Sequence, residues 1–143
     1  MDGLPGNGIS TFGGNPLSTT AANAALDYLL DHDLQRNAAT LGAMIISGLT
    51  EAAEPLDAVG EVRGKGLMFA VDLVDPGTGA PSPALATRAL EEARERGLLI
   101  GKGGLYGHTL RMAPPLNLSE AEAKEGLGLL TDALRAVDAG AER

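Results

Sequence analysis

The sequence predicts an α+β fold, in which a small, mainly antiparallel sheet carries helices on one face. Four segments repeat apolar residues every three to four positions, as amphipathic helices do: residues 16–31, 34–54, 83–96 and 120–137. Four shorter stretches between the second and the last helix alternate or concentrate apolar residues, as strands do. The resulting order, ααββαββα, lacks the regular βα alternation of a parallel sheet and favours an α+β domain.

Composition places the 143-residue chain among globular proteins, at 44% hydrophobic and 21% charged. A net charge of −8 without a basic stripe argues against a nucleic-acid partner. The absence of cysteine excludes disulfides and thiolate metal sites. Because the chain has no apolar run of roughly 18 residues and no basic-then-apolar leader, we expect a soluble, cytoplasmic protein without a membrane partner.

The first helix is expected to begin at Pro16, with Asn15 as its N-cap. Its apolar residues extend well round the helix: Leu17, Ala21, Ala22, Ala25, Leu26, Tyr28, Leu29 and Leu30. Because large exposed apolar patches are uncommon on soluble monomers, we expect another chain to bury this helix.

The second helix follows Asp33, a possible cap, and ends before Pro55. A β-like segment at residues 59–74 then alternates inward and outward side chains. Leu67, Phe69, Val71 and Leu73 alternate there with Met68, Ala70, Asp72 and Val74. Glycines at positions 60, 64 and 66 predict a bend or bulge between two extended pieces rather than one straight strand.

The C-terminal half supplies two helices and two short strands. Ser82 and Pro83 open the third helix, and Ser119 with Glu122 forms a capping box for the last one. Between these helices we expect a short buried strand at residues 98–100 and then a glycine-rich loop.

The last strand covers residues 109–112 and ends before two prolines. Side chains alternate faces along a strand, so Leu110 and Met112 point together. These two apolar residues are the natural partners of the helices. Arg111 is therefore expected on the open face of the sheet, without a strong acidic partner inside the domain.

The stretch Ser10-Thr11-Phe12-Gly13-Gly14-Asn15-Pro16 joins a loop to the first helix. Ser10 and Thr11 offer two hydroxyls, and the two glycines let the backbone approach a ligand closely. The exposed amides of the helix start lie a few residues further on. Together these groups can bind an anion.

Other motifs carry little functional signal. The segment at residues 97–102 resembles a phosphate-binding loop, but it has three residues between its glycines instead of four, and Gly103 stands where Ser or Thr should hold the metal. His32 and His108 belong to no ligand cluster, so we predict no metal site. No Gly-x-Ser-x-Gly elbow is present, which leaves a hydrolase triad without support.

Three stretches carry a family resemblance: STFGGNP at residues 10–16, VRGKGLMFAVDL at 62–73 and LRMAPPL at 110–116. In this order and spacing they resemble the C-terminal part of the class III aminotransferases, pyridoxal-phosphate enzymes of fold type I that include ornithine and 4-aminobutyrate aminotransferases. The resemblance implies that residues 1–32 end the large cofactor-binding domain and that residues 33–143 form the C-terminal small domain.

By the same resemblance, Ser10 and Thr11 would contact the phosphate of pyridoxal 5'-phosphate bound by the neighbouring subunit of a homodimer, Thr11 through its hydroxyl. Arg111 matches the arginine that receives the α-carboxylate of the substrate as a bidentate pair. Arg63 has the competing interpretation of a structural arginine at the strand bend, which we favour. We assign no catalytic residue and no metal ligand to this chain.

Pyridoxal-phosphate chemistry requires a lysine amine that forms a Schiff base. The chain has three lysines, Lys65, Lys102 and Lys124. None matches the family position, which the resemblance places upstream of residue 1. We therefore expect the chain alone to be inactive in transamination.

The sequence thus supports the C-terminal part of a pyridoxal-phosphate-dependent aminotransferase, which transfers an amino group between an amino acid or amine and a 2-oxo acid. Two alternatives stay open: a non-catalytic α+β module for binding or oligomerisation, and another enzyme of the superfamily, such as a decarboxylase, racemase or aminomutase. Residues 1–32 favour the enzyme, because a free-standing module has little reason to retain a phosphate loop and a widely apolar helix.

Overall fold

A computed structural model describes residue 11 and residues 13–141 of the chain. The chain divides into two compact units, Met1–Leu34 and Gln35–Arg143. The described residues form four helices and four strands in the expected order, ααββαββα. None of the described helices is both long enough and apolar enough to cross a membrane. The assignment of the two units to the large and small domains of a longer enzyme stays a prediction.

The first unit contains helix α1, Pro16–Asp31, with the bounds expected from the sequence. Asn15 caps it, because its side-chain Oδ1 accepts a hydrogen bond from the backbone N–H of Ser18 at 3.0 Å. No residue of α1 is buried. Three of its leucines are more than half exposed: Leu17, Leu26 and Leu30. Its burial by another chain stays a prediction.

Helix α2, Leu34–Ala53, is followed by a hairpin of β1, Val59–Lys65, and β2, Met68–Leu73. The two strands pair antiparallel, with a register shift next to Val59, and Gly66 lies in the connecting turn with a φ of +56°. The bend expected within this segment is therefore a complete reversal of the chain. The structure decides which of the two alternating sets points inward, because four side chains are buried: Leu67, Phe69, Val71 and Leu73.

The remaining elements are helix α3, Pro83–Glu95, strand β3, Gly101–Gly103, strand β4, Thr109–Met112, and helix α4, Glu120–Asp138. The strands lie in the order β1-β2-β4-β3, and every neighbouring pair is antiparallel. Helix α4 begins with the expected capping box, in which the side chains of Ser119 and Glu122 each accept a hydrogen bond from the other residue's backbone N–H.

The core of the second unit lies between its helices and one face of the sheet. Side chains from α2, α3 and α4 meet those of β2 and β4 there. Its fully buried members include Leu49, Leu73, Leu110, Leu134 and Val137. Each such side chain contributes about 1.5–3 kcal/mol relative to an exposed one. The opposite side of the sheet, called the open face below, carries exposed polar residues such as Glu61, Arg63 and Arg111.

The expectation of a buried strand at residues 98–100 is wrong. Strand β3 begins at Gly101, where ladder pairing with Arg111 of β4 begins. Leu98 and Ile100 pack against the core, but Leu99 between them is 83% exposed. Pairing with a partner strand decides where an edge strand starts, and a run of apolar residues does not report that pairing.

Candidate functional site

Strand register places two rows of side chains on the open face. One row crosses β1, β2 and β4 at Arg63, Ala70 and Arg111. The next row, two residues along each strand, joins Glu61, Asp72 and Thr109. A shallow depression of about 530 Å³ lies here, and the first row contributes to its lining. Because Ala70 is small, it leaves room between the two arginines.

Arg111 has an exposed side chain, and no carboxylate lies within ion-pairing distance of it among the described residues. The preceding residue, Leu110, is fully buried, so the two side chains point to opposite faces. The stem of Arg111 lies over β3: a Cβ added to Gly103 would be 2.8 Å from Arg111 Cδ. This geometry agrees with the expectation for Arg111, while its role in binding stays a prediction.

Replacing Gly103 with alanine is expected to displace the Arg111 guanidinium and leave the fold intact. The new methyl group would press on the Arg111 stem, which is flexible and can move. We expect the free energy of unfolding to change by no more than about 0.5–1 kcal/mol, and a crystal structure of the variant to show a different Arg111 rotamer. Gly101→Ala is the matched control, because its Cβ would lie at an ordinary 3.4 Å from the Arg111 carbonyl oxygen. If the Arg111 side chain kept its rotamer in Gly103→Ala, that result would contradict the described position of its stem over Gly103.

Arg63, the other arginine of the row, is held by two carboxylates. Its Nη1 donates hydrogen bonds to Glu61 Oε2 at 2.9 Å and to Asp72 Oδ2 at 2.5 Å. The hydrogen bond to Asp72 raises the pKa of Arg63 above its ordinary value. This pairing agrees with the structural role that we favour for Arg63.

Asp72 is the centre of a polar cluster on the open face. Its Oδ1 accepts a hydrogen bond from Thr109 Oγ1 at 2.7 Å, and its Oδ2 lies 3.6 Å from His108 Nε2. Partial burial works against ionisation, but the hydrogen bonds from Arg63 and Thr109 outweigh it and hold the pKa of Asp72 below its ordinary value. The sequence reasoning did not single out Asp72, although its position between two buried residues of β2 places it on the open face.

The expected phosphate-contacting stretch is described in part, since Ser10 and Phe12 lie outside the described residues. Thr11 is exposed, and Gly14 has a φ of +76°, in the left-handed region that favours glycine. The first turn of α1 contains no acidic residue, so its positive end is not neutralised from within that turn. A hydroxyl beside such a helix start is chemistry that fits a phosphate group.

All three lysines are exposed, whereas a lysine that forms a Schiff base is activated by desolvation in a hydrophobic pocket or by a neighbouring cation. Lys65 is exposed at the end of β1. Lys102 donates a hydrogen bond to Thr87 Oγ1 at 2.7 Å, and Lys124 forms an ion pair with Glu120 at 2.5 Å. The described residues also contain no cluster of three or more His, Asp or Glu side chains that could hold a metal ion. The described residues thus include groups whose chemistry suits a phosphate and a carboxylate, Thr11 and Arg111, and both binding roles stay predictions.

Comparison with known families places the chain among enzymes of this chemistry. The model of the aminotransferase class-III family matches residues 1–134. The chain belongs to the class III aminotransferase family. Pyridoxal phosphate is the cofactor of these enzymes. The resemblance carried by the three sequence stretches is therefore confirmed.

Curated relatives of this class III aminotransferase chain are several times longer than it is. The mitochondrial alanine–glyoxylate aminotransferase 2 homolog 2 of Arabidopsis thaliana is 41% identical over 116 residues, which are 80% of this chain and 24% of the relative. An alanine/serine racemase of Pyrococcus horikoshii is 33% identical over 135 residues, which are 94% of this chain and 28% of the relative. The chain thus spans about a quarter of their length.

Solved structures of class III aminotransferase relatives share the α+β fold. A phospholyase from Arthrobacter, in complex with phosphoethanolamine, superposes with a TM-score of 0.84 at 38% identity, over 90% of this chain and 31% of that one. An amine transaminase from an uncultivated Pseudomonas species, in its pyridoxal-phosphate-bound form, superposes with a TM-score of 0.76 at 39% identity, over 93% of this chain and 29% of that one. The fold expected from the sequence is confirmed.

Proposed function

We propose that this chain is the substrate-facing C-terminal part of a pyridoxal-phosphate-dependent aminotransferase, which transfers an amino group between an amino acid or amine and a 2-oxo acid. The observation that carries the proposal is Arg111, an exposed arginine on the open face with no ion-pair partner among the described residues. Because the chain spans about a quarter of the length of its curated relatives, the activity is proposed for a full-length enzyme that carries this segment.

In this proposal Arg111 binds the substrate carboxylate. A planar guanidinium presents two parallel N–H donors, which match the two oxygens of a carboxylate, whereas lysine offers a point charge without that geometry. The depression on the open face gives a carboxylate access to the arginine. No internal ion pair of the described chain has to be broken before substrate binds.

In the same proposal, Ser10 and Thr11 contact the phosphate of the cofactor that is bound by the neighbouring subunit of a homodimer. When bound, pyridoxal phosphate supplies the electron sink that allows bonds at the substrate α-carbon to break. The exposed apolar surface of α1 supports an interface with another chain, because such surfaces are uncommon on soluble monomers. The cytoplasmic location stays a prediction.

Another pyridoxal-phosphate reaction is the second candidate, since two of the similar proteins are named a racemase and a phospholyase. A product assay on the full-length enzyme separates the candidates. Transamination consumes a 2-oxo acid and forms a new amino acid. Racemisation changes only the configuration of the substrate, and a lyase releases phosphate from a phosphorylated amine. A full-length protein without any of these activities would support the non-catalytic module.

Mixed with pyridoxal phosphate, the 143-residue chain by itself is expected to form no stoichiometric lysine adduct and to catalyse no amino transfer. The reason is that none of its lysines fits the Schiff-base position. Borohydride reduction followed by peptide mass spectrometry measures any adduct, and the full-length enzyme treated in the same way is the positive control. A stoichiometric adduct on Lys65 or Lys102 would overturn this view.

A further inference from the structure

We infer that Arg63 is a positioning residue for the carboxylate site: by occupying Asp72, it leaves Arg111 free to bind substrate. The inference rests on the proposed function, because it names the residue that keeps the proposed site available.

Asp72 lies between two arginines that stand in equivalent register positions. On β1, Glu61 is opposite Asp72, and Arg63 is two residues further along. On β4, Thr109 is opposite Asp72, and Arg111 is two residues further along. Residues two apart share a face of the sheet. Both arginines are thus diagonal neighbours of the carboxylate, about 7–8 Å away on the backbone, a distance that long side chains span.

The carboxylate nevertheless pairs with Arg63. Its Oδ2 accepts the hydrogen bond from Arg63 at 2.5 Å and lies 3.6 Å from His108 Nε2, and its Oδ1 accepts from Thr109 at 2.7 Å. Each oxygen therefore already has a donor. A bond to Arg111 would have to share an oxygen with one of these donors, and the negative charge of Asp72 is already paired with the positive charge of Arg63. Glu61 adds a second contact that holds the Arg63 guanidinium on this side of the sheet.

Arg111 extends away from Asp72. Its stem passes over Gly103 of β3, which lies on the far side of β4 from β2. Ala70, directly opposite Arg111 on β2, offers no polar side-chain atom that could draw it back. On the open face, Arg63 is thus bound by carboxylates, and Arg111 is available to a ligand.

The separation matters because Asp72 and a substrate carboxylate would compete for the same N–H groups. A binding group that is available only part of the time weakens apparent affinity in proportion to that fraction. If Asp72 held Arg111 in about nine molecules of ten, the apparent affinity for substrate would fall about tenfold. Arg63 prevents this loss by keeping the carboxylate engaged.

Nitrogen-15 NMR of the arginine side chains in the wild-type chain gives the first test. Slow rotation of the Arg63 guanidinium and slow exchange of its N–H protons are expected, while Arg111 rotates and exchanges quickly. The Arg111 signals are assigned by their absence in Arg111→Lys. Slow rotation and exchange at Arg111 together with fast rotation and exchange at Arg63 would overturn the inference.

The substitution Arg63→Gln is expected to leave the Asp72 carboxylate without its arginine, so that Asp72 forms an ion pair with Arg111 instead. In this variant the Arg111 N–H exchange should slow several-fold, and in the double variant Arg63→Gln with Asp72→Asn it should return to the wild-type rate. The matched control is Arg94→Gln, which breaks the exposed ion pair with Glu91 on α3 at 2.8 Å and should leave Arg111 unchanged. Identical Arg111 signals in folded Arg63→Gln and in the wild type would refute the inference.

Kinetics of a full-length enzyme carrying this segment separate the inference from the proposed function. Arg63→Gln should raise KM for a carboxylate substrate about tenfold with kcat little changed, and adding Asp72→Asn should restore KM. If Arg111→Lys leaves KM unchanged, the proposed function fails, and the NMR cycle still decides whether Arg63 keeps Asp72 from Arg111. If Arg111→Lys raises KM while Arg63→Gln does not, the proposed function stands and the inference fails.

Discussion

Replacing Gly42 with alanine is expected to destabilise the second unit by about 3 kcal/mol, the upper end for overpacking a close contact. Gly42 is buried on α2, against the turn between β1 and β2. An added Cβ would overlap the carbonyl group of Gly66 and lie 2.6 Å from its Cα. These atoms belong to backbone in a turn with positive φ, so they cannot move aside as a side chain would. Urea unfolding followed by circular dichroism measures the loss.

Gly128→Ala provides the control for that experiment. Gly128 lies within α4, and apart from its chain neighbours and the adjacent backbone of that helix no atom lies within 4 Å of the position that its Cβ would take. Alanine is the better helix former by about 0.5–1 kcal/mol, so this variant should be slightly more stable than the wild type. Equal stabilities for the two variants would show that α2 does not contact the hairpin turn as closely as described.

Arg111→Lys in a full-length enzyme is expected to cost about 1.5–3 kcal/mol of substrate binding, the range for a hydrogen bond to a charged group. This free energy corresponds to a roughly ten- to hundredfold rise in KM for an amino acid substrate. Lysine keeps the positive charge, so the loss reports the two-point geometry of the guanidinium. Steady-state kinetics with a carboxylate-bearing donor measures it.

Two controls accompany the Arg111 variant. A primary amine donor without a carboxylate makes no bidentate pair, so its KM should be almost unchanged. Arg135→Lys alters another exposed arginine, on α4, which pairs only loosely with Asp132 at 3.6 Å, and it should behave as the wild type with both donors. A similar rise in KM for the amine and for the amino acid would exclude carboxylate recognition by Arg111.

Local sequence determined much of this fold. The start of α1 follows from an N-cap and a proline, and α4 begins at a capping box, because these signals lie within a few residues of the helix starts. The alternation around Val71 predicted which residues of β2 share a face, and the alternation around Leu110 placed the buried face of β4 and put Arg111 on the open face. The family followed from three short stretches, since each keeps its residues next to one another in the chain.

Only the tertiary structure decided which groups meet. Strand register brings both Arg63 and Arg111 within reach of Asp72, and the side-chain positions then pair Asp72 with Arg63 while the stem of Arg111 lies over Gly103. The start of β3 and the position of the Arg111 stem over Gly103 depend on the pairing of β3 with β4 at the edge of the sheet. The approach of Gly42 to Gly66 depends on how a helix packs against a hairpin. Such contacts join residues distant in the chain, and no local periodicity encodes the partner.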